Sequence, residues 1–368
     1  MKKISWITPE CFIDVDVPVI SRLQSYYKIR LILVIPQNGI DYKNYVNGFL
    51  GESENVEVIY VYQNSKLRLP INILLYNRII NLAKAFMPNL YYISFMGIPY
   101  ALPLYKLRLP IKKCIVPCHN VSTPKGANSE RIADFYKDMW LRTFSNIQVF
   151  SEGQLNILKS TYSNKTVLLA YLMLKDYGKP RKVKRQPDGV VRFLFFGNIV
   201  KYKRLDLLLE AVNTLVERSE RRFILTIAGS CNNWNEYKRY IKYPEQINVR
   251  IERIPNEEVA DLFSENHYLV MPYQDIAQSG AITVAFRYNV PTIVSDIPQF
   301  KEFVVDGQTA LTFKSENAKS LSDVLEYVIN NHQNIYDKFR KNQEKMVEDK
   351  FADEAIVKKY KAYFDSLM

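Results

Sequence analysis

Short apolar runs alternate with segments of helical spacing along nearly the whole chain, and this alternation strongly restricts its fold. Continuous apolar runs of this kind are typical of parallel strands that helices cover on both faces. The alternation therefore predicts two α/β halves, each a doubly wound parallel sheet. The predicted strands span residues 3–8, 29–35, 56–62, 90–95, 113–117, 147–151 and 165–170, then 193–196, 223–228, 249–251, 268–271 and 290–294.

The length of the chain, 368 residues, exceeds the size at which a single hydrophobic core usually stops growing. Between residues 179 and 190 the composition changes to five cations, one acid, two prolines and a glycine. Such a segment is typical of an exposed linker. We therefore expect a first domain at residues 1–178, the linker at 179–190, a second domain at 191–351 and a terminal helix at 352–368.

Positive charge is concentrated in the first half of the chain. Of the net charge of +12, residues 1–178 carry +9 and the linker carries +4, whereas residues 191–368 carry −1. This asymmetry predicts an anionic partner, either a membrane or a nucleic acid. No nucleic-acid motif accompanies it, which favours an anionic membrane surface. The hexapeptide KLRLPI at 66–71 and 106–111 joins cations to leucines and fits such a surface, although chance similarity explains the repeat equally well.

Several classes of protein are disfavoured. The N-terminal residues include Pro9 and Glu10 among few apolar ones, unlike a signal peptide. Prolines interrupt the uncharged run 85–105, so it predicts a buried strand and a turn rather than a membrane span. The four cysteines are widely spread and predict buried free thiols in a reducing compartment. Neither half has a GxGxxG after its first strand, which argues against a dinucleotide-dependent oxidoreductase.

The stretch from residue 271 to residue 300 predicts a strand end, a polar loop, a helix and a second strand. If the helix begins at Ser279 and Gly280, its unpaired N–H groups and its macrodipole favour an anion. Gly280 has no side chain to keep a phosphate away from the backbone. The alternative is that Ser279 is only a helix cap and Gly280 only a turn residue. A phosphorylated ligand is the prediction that uses the whole arrangement.

Four ordered blocks lie between residues 192 and 312. They are FLFFGNI at 193–199 with KYKRLD at 201–206, ILTIAG at 224–229, IPNEEV at 254–259, and Pro272-Tyr273 with Gln278-Ser279-Gly280, Pro291, Ser295-Asp296, Glu302 and Asp306-Gly307. In these blocks the chain resembles the family 4 (group 1) retaining glycosyltransferases, which have the GT-B fold. The resemblance implies two Rossmann-like domains that face each other across a cleft, with the terminal helix crossing back onto the first.

The resemblance implies a donor site in the second half. Transfer of a sugar from a nucleotide requires groups that stabilise the departing diphosphate. Lys203 matches the family lysine that contacts the donor phosphates; an ordinary lysine at a helix start is the alternative. Asn198 replaces a common arginine, and Arg204 replaces a usual glycine and restores the missing charge. The implied donor-binding residues are Gly197, Asn198, Lys201, Arg204, Tyr273, Ser279 and Gly280.

The chain departs from the family at its two signature glutamates. Val284 stands where the second glutamate is usual, and the first falls near residues 276–278, so the chain resembles a Gln-Ser-Gly subset that lacks both. The amide of Gln278 can still bond a sugar hydroxyl. His119 matches a cleft histidine and follows a predicted strand, where doubly wound sheets bind ligands, although a lone histidine is often structural. The expected catalytic residues are thus His119, Lys203 and Gln278.

Asp14 and Asp16 form a DxD, which is the metal signature of a different glycosyltransferase fold. Here both precede Pro18 and a helix predicted to begin there, where acidic residues cap the helix and complement its dipole. We therefore expect no metal. Because this segment follows the first strand, we expect Asp14 and Asp16 to face the acceptor.

The sequence and the resemblance together predict a retaining, metal-independent glycosyltransferase without a cofactor, in which a nucleotide sugar is the co-substrate. The basic first domain suggests a lipid-linked glycan acceptor, at the inner face of a bacterial cell membrane, in capsule, lipopolysaccharide or exopolysaccharide synthesis. One alternative is a catalytically retired protein of this fold that only binds a partner. Another is a nucleotide-sugar epimerase of the same fold.

Overall fold

A computed structural model describes residues 1–37, 42–63, 72–94, 101–122, 130–181, 189–276 and 278–368. Contacts divide this part of the chain into two units. The first unit combines the residues up to Met173 with Asp353–Met368, and the second begins at Leu174 and ends at Ala352. The change of unit after Met173 comes a little before the predicted linker.

The first unit is built on one parallel sheet of seven strands in the order β3-β2-β1-β4-β5-β6-β7. The order reverses between β1 and β4, as in a doubly wound sheet. The centre of the sheet is fully buried, since Ile4, Trp6 and Ile7 of β1 have no exposed surface. The strands are β1 Lys3–Pro9, β2 Lys28–Pro36, β3 Val56–Gln63, β4 Leu90–Ile93, β5 Cys114–Pro117, β6 Asn146–Val149 and β7 Thr166–Leu169.

Six helices of the first unit alternate with these strands. They are α1 Ile13–Leu23, α2 Lys43–Leu50, α3 Asn72–Ala85, α4 Ala101–Arg108, α5 Glu130–Thr143 and α6 Glu152–Thr161. Two of them differ from the sequence predictions: α1 begins five residues before Pro18 and contains it, and α4 occupies part of the long uncharged run. Within the described part of the chain, every helix is too short or too polar to cross a lipid bilayer. The first KLRLPI copy, 66–71, lies outside the described residues.

The second unit repeats the architecture with six parallel strands in the order β10-β9-β8-β11-β12-β13. Its order reverses between β8 and β11. The strands are β8 Val191–Phe196, β9 Phe223–Ala228, β10 Ile247–Arg250, β11 Tyr268–Met271, β12 Thr292–Ser295 and β13 Ala310–Phe313. The helices are α7 Leu205–Glu217, α8 Trp234–Lys238, α9 Asn256–Glu265, α10 Gly280–Arg287 and α11 Ala318–Lys350.

The last helix, α12 Asp353–Leu367, belongs to the first unit although it follows the second in sequence. Its buried face carries Phe364, whose ring centre lies 6.1 Å from that of Trp6 in β1. The Tyr360 hydroxyl accepts a hydrogen bond from the Gln148 amide in β6, and the Tyr363 hydroxyl donates to the carbonyl of Thr166 at 2.8 Å. The terminal helix therefore covers one face of the first sheet.

Candidate functional site

The carboxyl ends of β8 and β11 lie side by side where the strand order of the second sheet reverses. Gly197 follows β8 directly, and Pro272 and Tyr273 follow β11. In open α/β sheets the reversal point leaves a crevice at the carboxyl ends of the strands, and ligands bind there. The topology thus brings two of the four sequence blocks to one place.

The backbone at the end of β8 is not covered by a side chain of its own, because the residue there is Gly197. Gly197 has φ +101°, and a Cβ placed there would lie 3.2 Å from Nζ of Lys203. Gly229, after β9, has φ +153°, and a Cβ there would lie only 2.0 Å from the carbonyl oxygen of Gly197. Both positions therefore require glycine, because a side chain would be strained at this φ and, at Gly229, would overlap the neighbouring backbone. The Lys203 ammonium lies directly beside this exposed backbone.

Lys203 is a half-buried cation with an aromatic neighbour. It ends a short 3₁₀ helix, and its Nζ lies 5.4 Å from the ring centre of Tyr273. Burial lowers the pKa of Lys203 to about 8. Tyr273 is held in place by Ser295, whose hydroxyl donates to the Tyr273 carbonyl, and by the edge of the Tyr202 ring at 6.1 Å. A desolvated ammonium of this kind gains most from an anionic ligand, since the anion restores the lost solvation.

The N-terminus of α10 is the second positive feature of this region. Ser279 is the N-cap residue, but its side chain bonds the Tyr273 hydroxyl; within the described residues it caps no N–H of the helix. The first N–H groups of α10 thus keep their partial positive charge. A Cβ at Gly280 would lie 3.3 Å from Nζ of Lys175, so a second ammonium stands at this helix end. The arrangement suits a multiply charged anion.

Lys175 is a site residue that the sequence did not predict. It lies just before the basic linker, where five further cations give no reason to single it out. Its proximity to Gly280 is a contact between residues more than 100 positions apart, and no local motif signals it. The sequence contains an indirect signal. Gly280 has no side chain and therefore leaves space at the start of α10 for a long side chain from elsewhere in the chain.

The other predicted donor residues surround this region with different roles. Asn198 and Lys201 are exposed, and Gln278 is half-buried just before the start of α10. Arg204 adopts a left-handed conformation at φ 51° and pairs with Asp206 at 3.0 Å and with Glu316 at 3.2 Å. The charge of Arg204 is therefore balanced within the second unit. Val284, at the expected glutamate position, is buried on the inner face of α10.

In the first unit, Asp16 lies at the corresponding reversal point between β1 and β4. Its carboxylate accepts hydrogen bonds from Thr8 at the end of β1, at 2.8 Å, and from Ser94 just after β4. Burial raises the pKa of Asp16 to about 6. Asp14 and Asp16 lie within α1 and not before it, because the helix already begins at Ile13, and side chains two residues apart point to different sides of a helix. Among the described residues, no three His, Cys, Asp or Glu side chains gather as a metal site requires.

His119 follows β5 at the same edge of the first sheet. Its imidazole is stacked between two aromatic rings, with Phe12 at 4.1 Å and 6° and Phe150 at 4.3 Å and 15°. Phe12 immediately precedes α1, so this stack and Asp16 are parts of one strand-end region. The predicted site residues thus fall into two groups: Asp14, Asp16 and His119 in the first unit, and the others in the second.

Sequence comparison with known proteins finds one family that resembles part of the chain. Residues 177–346 match the family model described as glycosyl transferases group 1, which covers most of the second unit. No curated protein matches the sequence of the chain significantly.

Solved structures resemble the whole chain. A glycosyltransferase from Rickettsia africae has a TM-score of 0.75 at 14% identity and covers 100% of this chain and 98% of its own. Sucrose-phosphate synthase from Thermosynechococcus elongatus has a TM-score of 0.76 at 14% identity and covers 100% and 99%. HepE from Anabaena, solved with UDP and glucose, has a TM-score of 0.74 at 11% identity and covers 100% of both chains. At such identities the likeness establishes the fold, and the predicted GT-B fold is confirmed.

Proposed function

We propose that this chain is a retaining glycosyltransferase that moves a sugar from a nucleotide sugar to a glycan acceptor. The observation that carries the proposal is the Lys203 ammonium beside the bare backbone of Gly197, at the reversal point of the second sheet. That position lies within the segment that matches the group 1 glycosyl transferases. The proposal takes the donor-binding domain as residues 191–351 and the acceptor-binding domain as residues 1–178.

The chemistry requires stabilisation of the leaving group. The bond between the anomeric carbon and the donor phosphate breaks, and the acceptor oxygen bonds to the same face of that carbon. The acceptor proton passes to the departing phosphate oxygen, so the step needs no metal and no protein base. Negative charge grows on the diphosphate, and Lys203, Lys175 and the N-terminus of α10 are the groups that offset it.

The sugar of the donor is proposed to meet Gln278 rather than a carboxylate. Gln278 precedes α10 and is half-buried, and its amide offers both a donor and an acceptor to sugar hydroxyls. A neutral amide binds a hydroxyl more weakly than a carboxylate does, so we expect weaker dependence on one particular hydroxyl. A UDP-sugar is the first donor to test, because HepE was solved with UDP and glucose.

The acceptor is proposed to be a lipid-linked glycan of a bacterial surface polysaccharide, met at the inner face of the cell membrane. The support is the net charge of +9 in residues 1–178, which attracts an anionic surface. The region that would meet the acceptor contains Asp14, Asp16 and the His119 stack. The Asp14 carboxylate and the His119 imidazole are the half-exposed groups of this region that can hydrogen-bond the hydroxyls of a sugar.

The first test is a thermal-shift comparison of nucleotide diphosphates and nucleotide sugars on the wild type and Lys203→Ala. A donor should raise the melting temperature of the wild type, because it binds only the folded state. Loss of a charged hydrogen bond costs about 1.5–3 kcal/mol, so Lys203→Ala should weaken donor binding roughly 10- to 100-fold. Lys238→Ala, which removes an exposed lysine from the same unit, should bind like the wild type.

Assays of sugar transfer and of donor isomerisation, run beside the thermal shift, separate the alternatives. Donor binding without turnover would favour a retired, partner-binding protein, a reading supported by Val284 at the glutamate position. Isomerisation of the donor without an acceptor would indicate an epimerase. If no nucleotide sugar or diphosphate changes the melting temperature, or if Lys203→Ala binds as the wild type does, the donor site proposed here is wrong.

A further inference from the structure

A long stretch of the first unit contains no acidic residue. From Val58 to Ser129 the chain has nine Lys and Arg and neither Asp nor Glu, and this one stretch accounts for a charge equal to the whole net +9 of residues 1–178. Surface charges of a globular domain usually alternate in sign. The six of these cations within the described residues are Arg78, Lys84, Lys106, Arg108, Lys112 and Lys113.

Two strongly exposed leucines lie among these cations. The exposed fraction is 83% for Leu107 in α4 and 74% for Leu74 in α3. A single exposed leucine needs no explanation, but these two are on helices that pack against each other. All charged residues of these two helices are cations, so their exposed side chains combine leucine with positive charge only.

The two helices are fixed relative to each other by Arg108. Its guanidinium donates to the side chain of Asn81 at 2.8 Å and also to that of Asn77. Leu74, Asn77, Arg78 and Asn81 are spaced three or four residues apart, so they share the outward face of α3. Leu107 precedes Arg108 in α4, and Arg108 reaches from this helix to the outward face of α3. We call Leu74, Arg78, Lys84, Lys106, Leu107 and Arg108 the α3–α4 surface.

We propose that the α3–α4 surface docks on an anionic lipid bilayer, with Leu74 and Leu107 entering the boundary between headgroups and acyl chains. Cations near an anionic bilayer gain electrostatic attraction, and their long aliphatic stems tolerate the interface. Leucine gains from entering an apolar phase, which a bilayer offers and a nucleic-acid backbone does not. The inference deepens the proposed function and rests on it for one purpose only: such docking would bring the enzyme to a lipid-linked acceptor.

The test is sedimentation of the full-length protein with vesicles of mixed phosphatidylglycerol and phosphatidylcholine, and with vesicles of phosphatidylcholine alone. The wild type should bind the anionic vesicles, and binding should weaken as salt is raised. Leu74→Ser with Leu107→Ser should lower the partition coefficient at least about tenfold but keep the salt dependence, because burial of two leucines is lost while the charges remain. The charge variant Arg78→Glu with Lys84→Glu and Lys106→Glu reverses three exposed cations of the α3–α4 surface and should abolish both binding and salt dependence.

Matched controls distinguish this surface from general effects of charge or apolarity. Lys28→Glu with Lys159→Glu and Lys358→Glu changes the net charge equally, at exposed lysines elsewhere in the first unit. Ile157→Ser with Tyr327→Ser removes two other exposed apolar side chains. Both controls should bind vesicles within about twofold of the wild type at equal ionic strength. All substituted residues are exposed, so every variant should have the melting temperature of the wild type. An unchanged melting temperature shows that a loss of binding does not come from a folding defect.

Several outcomes would overturn the inference. These are absence of wild-type binding to the anionic vesicles, equal loss in the control variants, or unchanged binding in the leucine variant. The last outcome, combined with tight binding to single-stranded RNA that the charge variant loses, would indicate a polyanion site instead. Donor binding is measured separately by thermal shift. A protein that binds vesicles but no nucleotide sugar would therefore leave this inference standing while the proposed function fails.

Discussion

At the scale of single residues, Asp16 is a buried carboxyl group that holds three segments together. It is 2% exposed and accepts hydrogen bonds from Thr8 in β1 and from Ser94 after β4, while its own backbone is part of α1. Few buried carboxylates lack a cationic partner, because desolvation of the charge is costly. Here two hydroxyl groups take the place of the cation. They do not fully offset the desolvation of the carboxylate, so the pKa of Asp16 is raised to about 6.

Asp16 should make the stability of the first unit dependent on pH. Because the pKa rises from 3.8 in the unfolded chain to about 6 in the fold, the folded state favours the protonated form. Its stabilising contribution is complete below about pH 4 and is lost as the pH rises through about 6. The difference amounts to about 3 kcal/mol. Urea unfolding at several pH values should show this decline in the wild type and not in Asp16→Asn; parallel pH profiles for the two proteins would contradict the assignment.

Most residues of the candidate donor region could be predicted from the sequence, because they lie next to the ends of predicted strands. Gly197, Lys203, Tyr273, Ser279 and Gly280 lie near one another because the strand order brings the ends of β8 and β11 side by side. The pairing of Arg204 with Glu316 could not be predicted, since the two residues are more than 100 positions apart in the sequence. Local patterns identify which residues stand at strand ends, whereas tertiary packing decides what each side chain contacts.

At the scale of elements, α11 shows where local propensity misleads. The sequence pattern predicts two helices here, at 318–332 and 335–348, but one helix runs from Ala318 to Lys350. Buried residues continue across the predicted break at helical spacing, including Leu325, Ile329, Tyr336 and Phe339. His332 lies on this stripe and its Nδ1 is 3.2 Å from the Tyr268 hydroxyl. Packing against the sheet thus outweighs the weak helix propensity of asparagine.

The helix α12 should be a main source of stability for the first unit. Phe364 has no exposed surface, and its ring lies about as near to Tyr27 and Tyr92 as to Trp6, with centres 6.0 Å and 6.1 Å away. Truncation to Phe364→Ala would leave a cavity among these rings, at a cost of about 3–5 kcal/mol. Tyr327→Ala removes a half-exposed ring from α11 and should change stability by less than about 0.5 kcal/mol.

Chemical unfolding followed by tryptophan fluorescence can measure the Phe364→Ala effect, because Trp6 and Trp140 are both in the first unit. A loss below about 1 kcal/mol would mean that the aromatic rings close the cavity, and that α12 is held mainly by its polar contacts, such as the hydrogen bond from Tyr363 to Thr166.

At the scale of the whole molecule, the chain forms two units that each have a sheet and a core. The two units are proposed to bind different ligands: the second unit binds the nucleotide sugar, and the first contacts lipid. Such proteins often unfold in more than one step. Composition and alternation predicted the two α/β halves, since both follow from apolar patterning, but the extent of each unit depends on contacts that no local pattern specifies.

We expect calorimetry to resolve two thermal transitions. A bound nucleotide diphosphate should raise the transition of the second unit and leave the other unchanged, because a ligand stabilises only the structure that binds it. Phe364→Ala should lower only the transition of the first unit, by about 2–4 °C for each kcal/mol lost. One transition that both the ligand and the substitution shift together would show that the two units unfold as one.

The return of α12 to the first unit also determines the order in which the protein can form during synthesis. The strands β1 to β7 leave the ribosome early, but the helix that covers Trp6 and Tyr92 is made only after all of the second unit. Domains generally fold as they emerge, N-terminal first. In this protein the later unit can finish its core first, while the earlier one keeps an apolar face uncovered until residues 353–368 appear. During synthesis, the N-terminal unit is thus the part of the nascent chain that is most exposed to chaperones and to misassembly.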